Sequence, residues 1–178
     1  MSIGSWQFVA LVAFIIWYLS TQAGRLDRLH HRIDVAAAAL DTHLARRSGV
    51  VAELAATDAF DVVTSAMLAQ AAHDALAAGE LVTQARLDAE SDLSDLLIST
   101  FSSSDNYRDE DPLVQGLLEE LTQACARVSL SHKFHSDAVT DCAGIRQQLL
   151  VRIFFLAGRA SLPQPLLFED EVPAGLAN

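Results

Sequence analysis

The larger apolar residues between positions 28 and 54 recur at intervals of three, four or seven positions in the sequence RLHHRIDVAAAALDTHLARRSGVVAEL. Alanines fill many of the positions between them. Such spacing places the apolar side chains on one face of an α-helix. The sequence therefore predicts a long amphipathic helix against which the rest of the chain packs. Its predicted apolar face comprises Leu29, Ile33, Leu40, Leu44, Val51 and Leu54.

Two further helices are predicted directly downstream. Asp58 is a suitable N-cap for a second helix that runs to about Ala78, and a third helix runs from Glu80 to about Phe101. The residues predicted to face the core are Phe60, Val63, Met67, Ala71 and Leu76 in the second helix, and Leu81, Leu93, Leu97 and Phe101 in the third.

The polar sequence SSSDNYRDED predicts a loop before a fourth helix. Asp111 suits the cap of that helix and Pro112 its first turn, and its apolar stripe runs through Val114, Leu121 and Phe134 as far as Leu149. No stretch alternates between apolar and polar residues with period two. We therefore predict an all-α fold in which an antiparallel bundle of about four helices follows the N-terminal segment.

That N-terminal segment, residues 3–19, contains no charged residue and carries aromatic residues near both ends. This pattern predicts a transmembrane helix. Its predicted anchor residues are Trp6, Phe8, Phe14, Trp17 and Tyr18. A cleaved signal peptide is the alternative, although no Lys or Arg precedes the apolar core. The chain then divides into an anchor (residues 1–24), a helical bundle (25–160) and a C-terminal tail (161–178).

Arginines follow the apolar segment closely and none precedes it. The positive-inside rule then predicts a single-pass protein of the cell membrane, with its first residues outside and its bundle in the cytoplasm. The arginines concerned are Arg25, Arg28 and Arg32. An extracytoplasmic bundle is the alternative topology.

The net charge of -11 argues against nucleic acid as a partner, because phosphates repel an acidic surface. Fifteen acidic residues lie between positions 53 and 123 against two arginines, whereas residues 25–47 and 124–160 carry more basic than acidic residues. The two basic segments could face anionic lipid headgroups. Equally, they could form an ordinary solvated surface.

Several blocks of the sequence resemble the LemA family of bacterial membrane-anchored helical proteins. These are RLHHRID from position 28, the Arg46-Arg47 pair, VSLSHKFHSDAVTD at 128–141 and PLLFEDE at 165–171. The chain lacks two prolines of the family pattern, carrying Ala52-Glu53 and Leu149-Leu150 at those places. Its first and last long helices are therefore expected to run longer than in relatives. The resemblance implies a LemA-like bundle that acts as a scaffold or adaptor without a catalytic site.

Few residues in the sequence are candidates for catalysis or for binding a metal. His132 and His135 lie one turn apart on a predicted helix and could bind a metal if carboxylates from another helix converged on them. A metal-binding protein or enzyme using these histidines is thus the alternative function. Cys125 and Cys142 are too far apart on one helix to form a disulfide. We predict no catalytic residue, no metal and no cofactor.

The sequence LLVRIFFLAGR, residues 149–159, combines basic and aromatic residues in the way that membrane-interface segments do. Arg152, Phe154, Phe155 and Arg159 are the predicted contacts with the bilayer. Packing in the bundle core is the alternative for this segment. The predicted partners are accordingly a lipid bilayer, an unidentified membrane or cytoplasmic protein, and a second copy of the chain.

Overall fold

The computed structural model describes residues 3–79, 83–102, 111–146, 166, 168, 170 and 172–176. Every regular element in these residues is helical, which confirms the predicted all-α fold and the helical bundle. The elements are α1 (Ile3–Ala55), α2 (Val62–Ala77), α3 (Gln84–Thr100), α4 (Pro112–Arg146) and a 3-10 turn at Ala174–Leu176.

The chain divides into two compact units. The first unit comprises Met1–Val35 and Asp137–Pro165, and the second comprises Ala36–Ser136 and Leu166–Asn178. Both α1 and α4 contribute residues to each unit. The 53 residues of α1 form one continuous helix that Gly49 does not interrupt, as expected for a sequence without a proline there.

The core of the second unit forms on the predicted face of α1. Leu40, Leu44, Val51 and Leu54 are each at most 1 % exposed. Burial of one such side chain contributes about 1.5–3 kcal/mol, so this row is a main source of stability. Its neighbours in the core include Leu68 and Ala72 from α2, Leu93, Leu97 and Phe101 from α3, and Leu117, Leu121 and Val128 from α4.

The N-cap of α2 is Asp61, so the prediction of Asp58 was wrong. The carboxylate of Asp61 accepts hydrogen bonds from the backbone N–H groups of Val63 (2.9 Å) and Thr64 (3.2 Å). The hydroxyl of Thr64 also donates to it at 2.5 Å. These bonds favour the ionised form and lower the pKa of Asp61, the Thr64 hydroxyl being the largest cause. At α4, the predicted cap is present, because Asp111 accepts from the N–H of Leu113 at 2.8 Å.

The buried face of α2 also differs from the prediction. Leu68, Ala72 and Ala75 line its core side, whereas the predicted core residues Val63 and Met67 are 67 % and 53 % exposed. Leu76 in α2 and Phe134 in α4 were likewise predicted to be buried and are exposed. A helix this rich in alanine can bury a face of small residues and leave larger apolar side chains in solvent.

The first unit has its own small core, formed by Ile33, Ala138, Val139 and Cys142 with Leu29 beside them. An exposed ion pair joins Arg32 to Asp141 at 3.7 Å. Exposed pairs contribute little to stability, so apolar packing is the main contact here.

None of the helices within the described residues combines the length and the apolar character needed to cross a bilayer. The transmembrane helix predicted at residues 3–19 is therefore unsupported.

Candidate functional site

The predicted anchor residues lie on an apolar part of α1. Trp6, Phe8, Phe14 and Trp17 are 59–67 % exposed, and Tyr18 is half-buried. The side chains of residues 6–17 are all exposed and all apolar except that of Gln7, so apolar residues lie on every side of the helix here. Phe14 and Trp17 contact each other, with ring centroids 5.9 Å apart. The predicted interface residues Arg152, Phe154, Phe155 and Arg159 lie outside the described residues.

His132 binds two acceptors of the C-terminal segment. Its Nδ1 lies 2.8 Å from a carboxylate oxygen of Asp170, and its Nε2 lies 2.8 Å from the carbonyl oxygen of Leu166. Its ring also stacks on Phe168, with centroids 4.5 Å apart. Because a carboxylate and a carbonyl both only accept, the imidazolium form, which donates from both nitrogens, satisfies both contacts. His132 thus holds Leu166, Phe168 and Asp170 against α4.

His135, one turn further along α4, is 4 % exposed. Within the described residues its Nδ1 has no hydrogen-bond partner. Burial lowers the pKa of His135, and the charge of nearby His132 lowers it further. His135 is therefore protonated less readily than an imidazole in water.

These two environments bear on the alternative that the histidines bind a metal. Both nitrogens of His132 already have protein partners, so a metal would have to displace Asp170 or Leu166. Among the described residues, His, Cys, Asp and Glu form no group of three that could hold a metal ion. The positions of His132 and His135 give the metal hypothesis no support.

A buried cluster of charges, which the sequence analysis missed, joins α1 to α3. Arg47 donates to Glu90 at 2.7 Å and to the hydroxyl of Ser94 at 2.9 Å. Arg86 lies on the other side of Glu90, with its Nε 2.9 Å from the second carboxylate oxygen in an ion pair that lacks hydrogen-bond alignment. The side chains of the three charged residues are at most 4 % exposed.

Asp41 completes the charge balance of this cluster. Its carboxylate is half exposed and lies 3.5 Å from Arg86. Two guanidinium groups thus face two carboxylates, one buried and one at the surface. Since removing charges from water costs several kcal/mol for each ion, the mutual pairing is what allows these side chains to be buried. The cluster fixes how α1 packs on α3.

Cys125 and Cys142 form no disulfide with each other, as predicted, and both are buried. Burial raises the pKa of the Cys125 thiol, and the positive charge of Arg47 opposes this rise only in part. A thiol with a raised pKa is a poor nucleophile. The sulfur of Cys142 lies 3.9 Å from Nε2 of His30 in the first unit.

An open apolar groove of about 830 Å³ lies between α2 and α3. The exposed side chains of Val63 and Met67 line one wall, and Ala89 and Leu96 line the other. Carboxylates lie along the groove at Asp74, Asp88 and Asp92, and none of the described residues that line it is Lys or Arg. Grooves with apolar walls between two helices are the kind of surface that can accommodate an amphipathic helix.

No family model, curated protein or solved structure matches the chain. The resemblance to the LemA family therefore stays a prediction from the sequence.

Proposed function

We propose that the protein is a non-enzymatic scaffold or adaptor that attaches to a lipid bilayer through residues 6–17 of α1. In this proposal the second unit presents its helices to a protein partner on the cytoplasmic side of the cell membrane. The observation that carries it is the continuous apolar surface of residues 6–17, on which Trp6, Phe8, Phe14 and Trp17 each expose more than half of their surface.

Exposure of this surface to water is unfavourable by about 25 cal/mol for each Å² of apolar area, and insertion into lipid removes that cost. Aromatic side chains such as Trp6 and Trp17 are favoured at the interface between lipid and water. Arg25, Arg28 and Arg32 come next in the helix and are exposed, so they can contact anionic headgroups.

The buried polar groups support a structural role for the second unit. Arg47 and Arg86 both pair with Glu90, and the two nitrogens of His132 bind Asp170 and Leu166. Burial raises the pKa of the Cys125 thiol, which makes it a poor nucleophile. The charged groups and His132 are already committed to the protein's own contacts, which favours a scaffold.

Flotation with lipid vesicles tests the attachment. We expect the full chain to float with vesicles and the double variant Phe8→Asp, Phe14→Asp to remain in the dense fraction, because two carboxylates on this surface would have to enter lipid. Val35→Asp is the matched control, since Val35 is an exposed apolar residue of the same helix outside residues 6–17.

Circular dichroism of each variant verifies that the helices persist. The proposal is wrong if the unaltered chain does not float, or if the double variant floats as well as the control.

A further inference from the structure

We infer that the groove between α2 and α3 binds an amphipathic helix of a partner protein, one with an apolar face flanked by Lys or Arg. The inference gives a partner class to the scaffold and in that sense rests on the proposed function. It does not require that the chain attach to a membrane.

The two walls of the groove are continuous rows on their helices. On α2, Val63, Met67 and Ala71 are spaced by four residues and therefore lie on one side of the helix. On α3, Ala85, Ala89 and Leu96 form the opposite row. The alanine side chains are short, so they leave room between the two walls for the side chains of a third helix.

The packing of α2 leaves this row available. The helix buries Leu68, Ala72 and Ala75 on its core side, so its larger apolar residues Val63 and Met67 remain in solvent at 67 % and 53 % exposure. Apolar side chains arranged in a row along a groove favour a partner, whereas isolated ones occur on any surface. A third helix could bury this row as the core buries the other face.

The charges along the groove determine which kind of partner it favours. Asp74 and Asp88 accept hydrogen bonds from the side-chain amides of Gln70 (2.8 Å) and Gln84 (2.6 Å), which are neutral donors. Asp92 adds a third carboxylate, and the part of the groove lining that the structure describes contains no Lys or Arg. These charges favour basic flanks on the bound helix.

The same charges argue against the other occupants. Two copies of the groove placed face to face would bring carboxylates together, which is unfavourable. Anionic lipid and nucleic acid would be repelled in the same way. An amphipathic helix with basic flanks is the occupant that satisfies both the apolar walls and the acidic edge.

A synthetic amphipathic peptide, with Leu on one face and Lys on the other, tests the inference. Its binding to the full chain is followed by fluorescence anisotropy in an uncharged detergent, with the detergent alone as blank. We expect Met67→Asp to weaken binding about tenfold or more, since an apolar contact is lost and a charge enters the groove. Phe134→Asp, which alters an equally exposed apolar residue on α4, is the matched control.

The acidic edge is tested separately with Asp88→Asn and Asp92→Asn together. We expect this variant to bind the Lys peptide more weakly and with less dependence on salt concentration. The control is Glu53→Gln with Glu119→Gln, which removes two exposed carboxylates from outside the groove. A peptide with Glu in place of Lys should not bind the unaltered chain.

Three results would overturn the inference. These are equal binding of the Lys and Glu peptides, unchanged binding by Met67→Asp, and self-association of the chain that Met67→Asp abolishes, which would identify a second copy as the occupant. The titration contains no lipid, so its result is independent of the flotation experiment. Failure here with successful flotation would reject the groove and leave the attachment intact.

Discussion

Arg47 of α1 and Glu90 of α3 form an ion pair at 2.7 Å in which the two side chains are 2 % and 0 % exposed. Removing one partner from such a pair costs more than the pair itself contributes, because the remaining charge is left buried. The pair therefore makes the packing of α1 on α3 sensitive to single substitutions.

We expect Glu90→Gln to destabilise the second unit by about 3–5 kcal/mol, since it leaves the guanidinium groups of Arg47 and Arg86 without their buried countercharge. Urea denaturation measures the change. The control Arg46→Gln breaks the exposed ion pair with Glu120 and should cost less than about 1 kcal/mol. Equal losses for the two variants would show that Glu90 is not the centre of a buried charge network.

The buried face of α1 could be predicted because its large apolar residues recur at helical spacing and therefore lie on one side of the helix. Leu40, Leu44 and Leu54 accordingly lie in the core. The buried face of α2 was predicted wrongly, because alanines and larger apolar residues occupy more than one side of that helix. Periodicity alone could not decide whether Met67 or Leu68 faces inward, because the answer depends on what packs against α2.

The charge cluster left a signal in the sequence that could have been used. Arg47 lies between Leu44 and Val51 on the predicted apolar face, and Glu90 precedes Leu93 on the corresponding face of α3. Charged residues on an apolar stripe predict buried ion pairs. Which charges pair depends on the register between α1 and α3, and no local pattern encodes that register.

The contact of His132 with the C-terminal segment gives a local prediction. We expect His132→Leu to speed hydrogen exchange at Leu166, Phe168 and residues 172–176, because it removes the contacts to both Asp170 and the Leu166 carbonyl. Asp170→Ala should have a smaller effect, since one contact remains. Mass spectrometry of the exchanged chain reports both, with the exposed neighbour Lys133→Gln as control. Exchange in this segment that His132→Leu leaves unchanged would contradict the assigned role.

His135 predicts a dependence of stability on pH. Its pKa is lowered in the folded state from the ordinary value of 6.5, so the unfolded chain takes up a proton first as pH falls. The stability contribution is complete above pH 6.5 and is lost as pH falls from there through the lowered pKa. We expect His135→Leu to reduce the loss of stability between neutral and mildly acidic pH, measured by urea denaturation across that range. His73→Gln, at an exposed position, is the control.

Because arginines follow the apolar segment, we predict that binding of the chain to vesicles depends on the charge of the lipid. Each Lys or Arg near an anionic surface contributes about 1 kcal/mol, so Arg25→Gln and Arg28→Gln should each weaken binding to anionic vesicles about fivefold. Binding to uncharged vesicles should not change. Vesicle titration of the full chain separates the two cases, and an equal loss with uncharged lipid would show that the arginines act on the helix rather than on headgroups.

Gly175 lies where the C-terminal 3-10 turn meets the end of α3. A Cβ at this position would overlap the carbonyl oxygen of Phe101, and backbone atoms cannot move aside as a flexible side chain can. The hydroxyl of Thr122 donates to the carbonyl of neighbouring Leu176 at 3.3 Å, so displacement of the turn would also weaken that contact. We expect Gly175→Ala to destabilise the second unit by about 1–3 kcal/mol.

Gly116→Ala is the matched control, because this exposed helical glycine has open space around it and alanine should stabilise α4 by about 0.5–1 kcal/mol. Thermal or urea denaturation should therefore shift in opposite directions for the two variants, and a neutral or stabilising Gly175→Ala would contradict the close approach of the turn to Phe101.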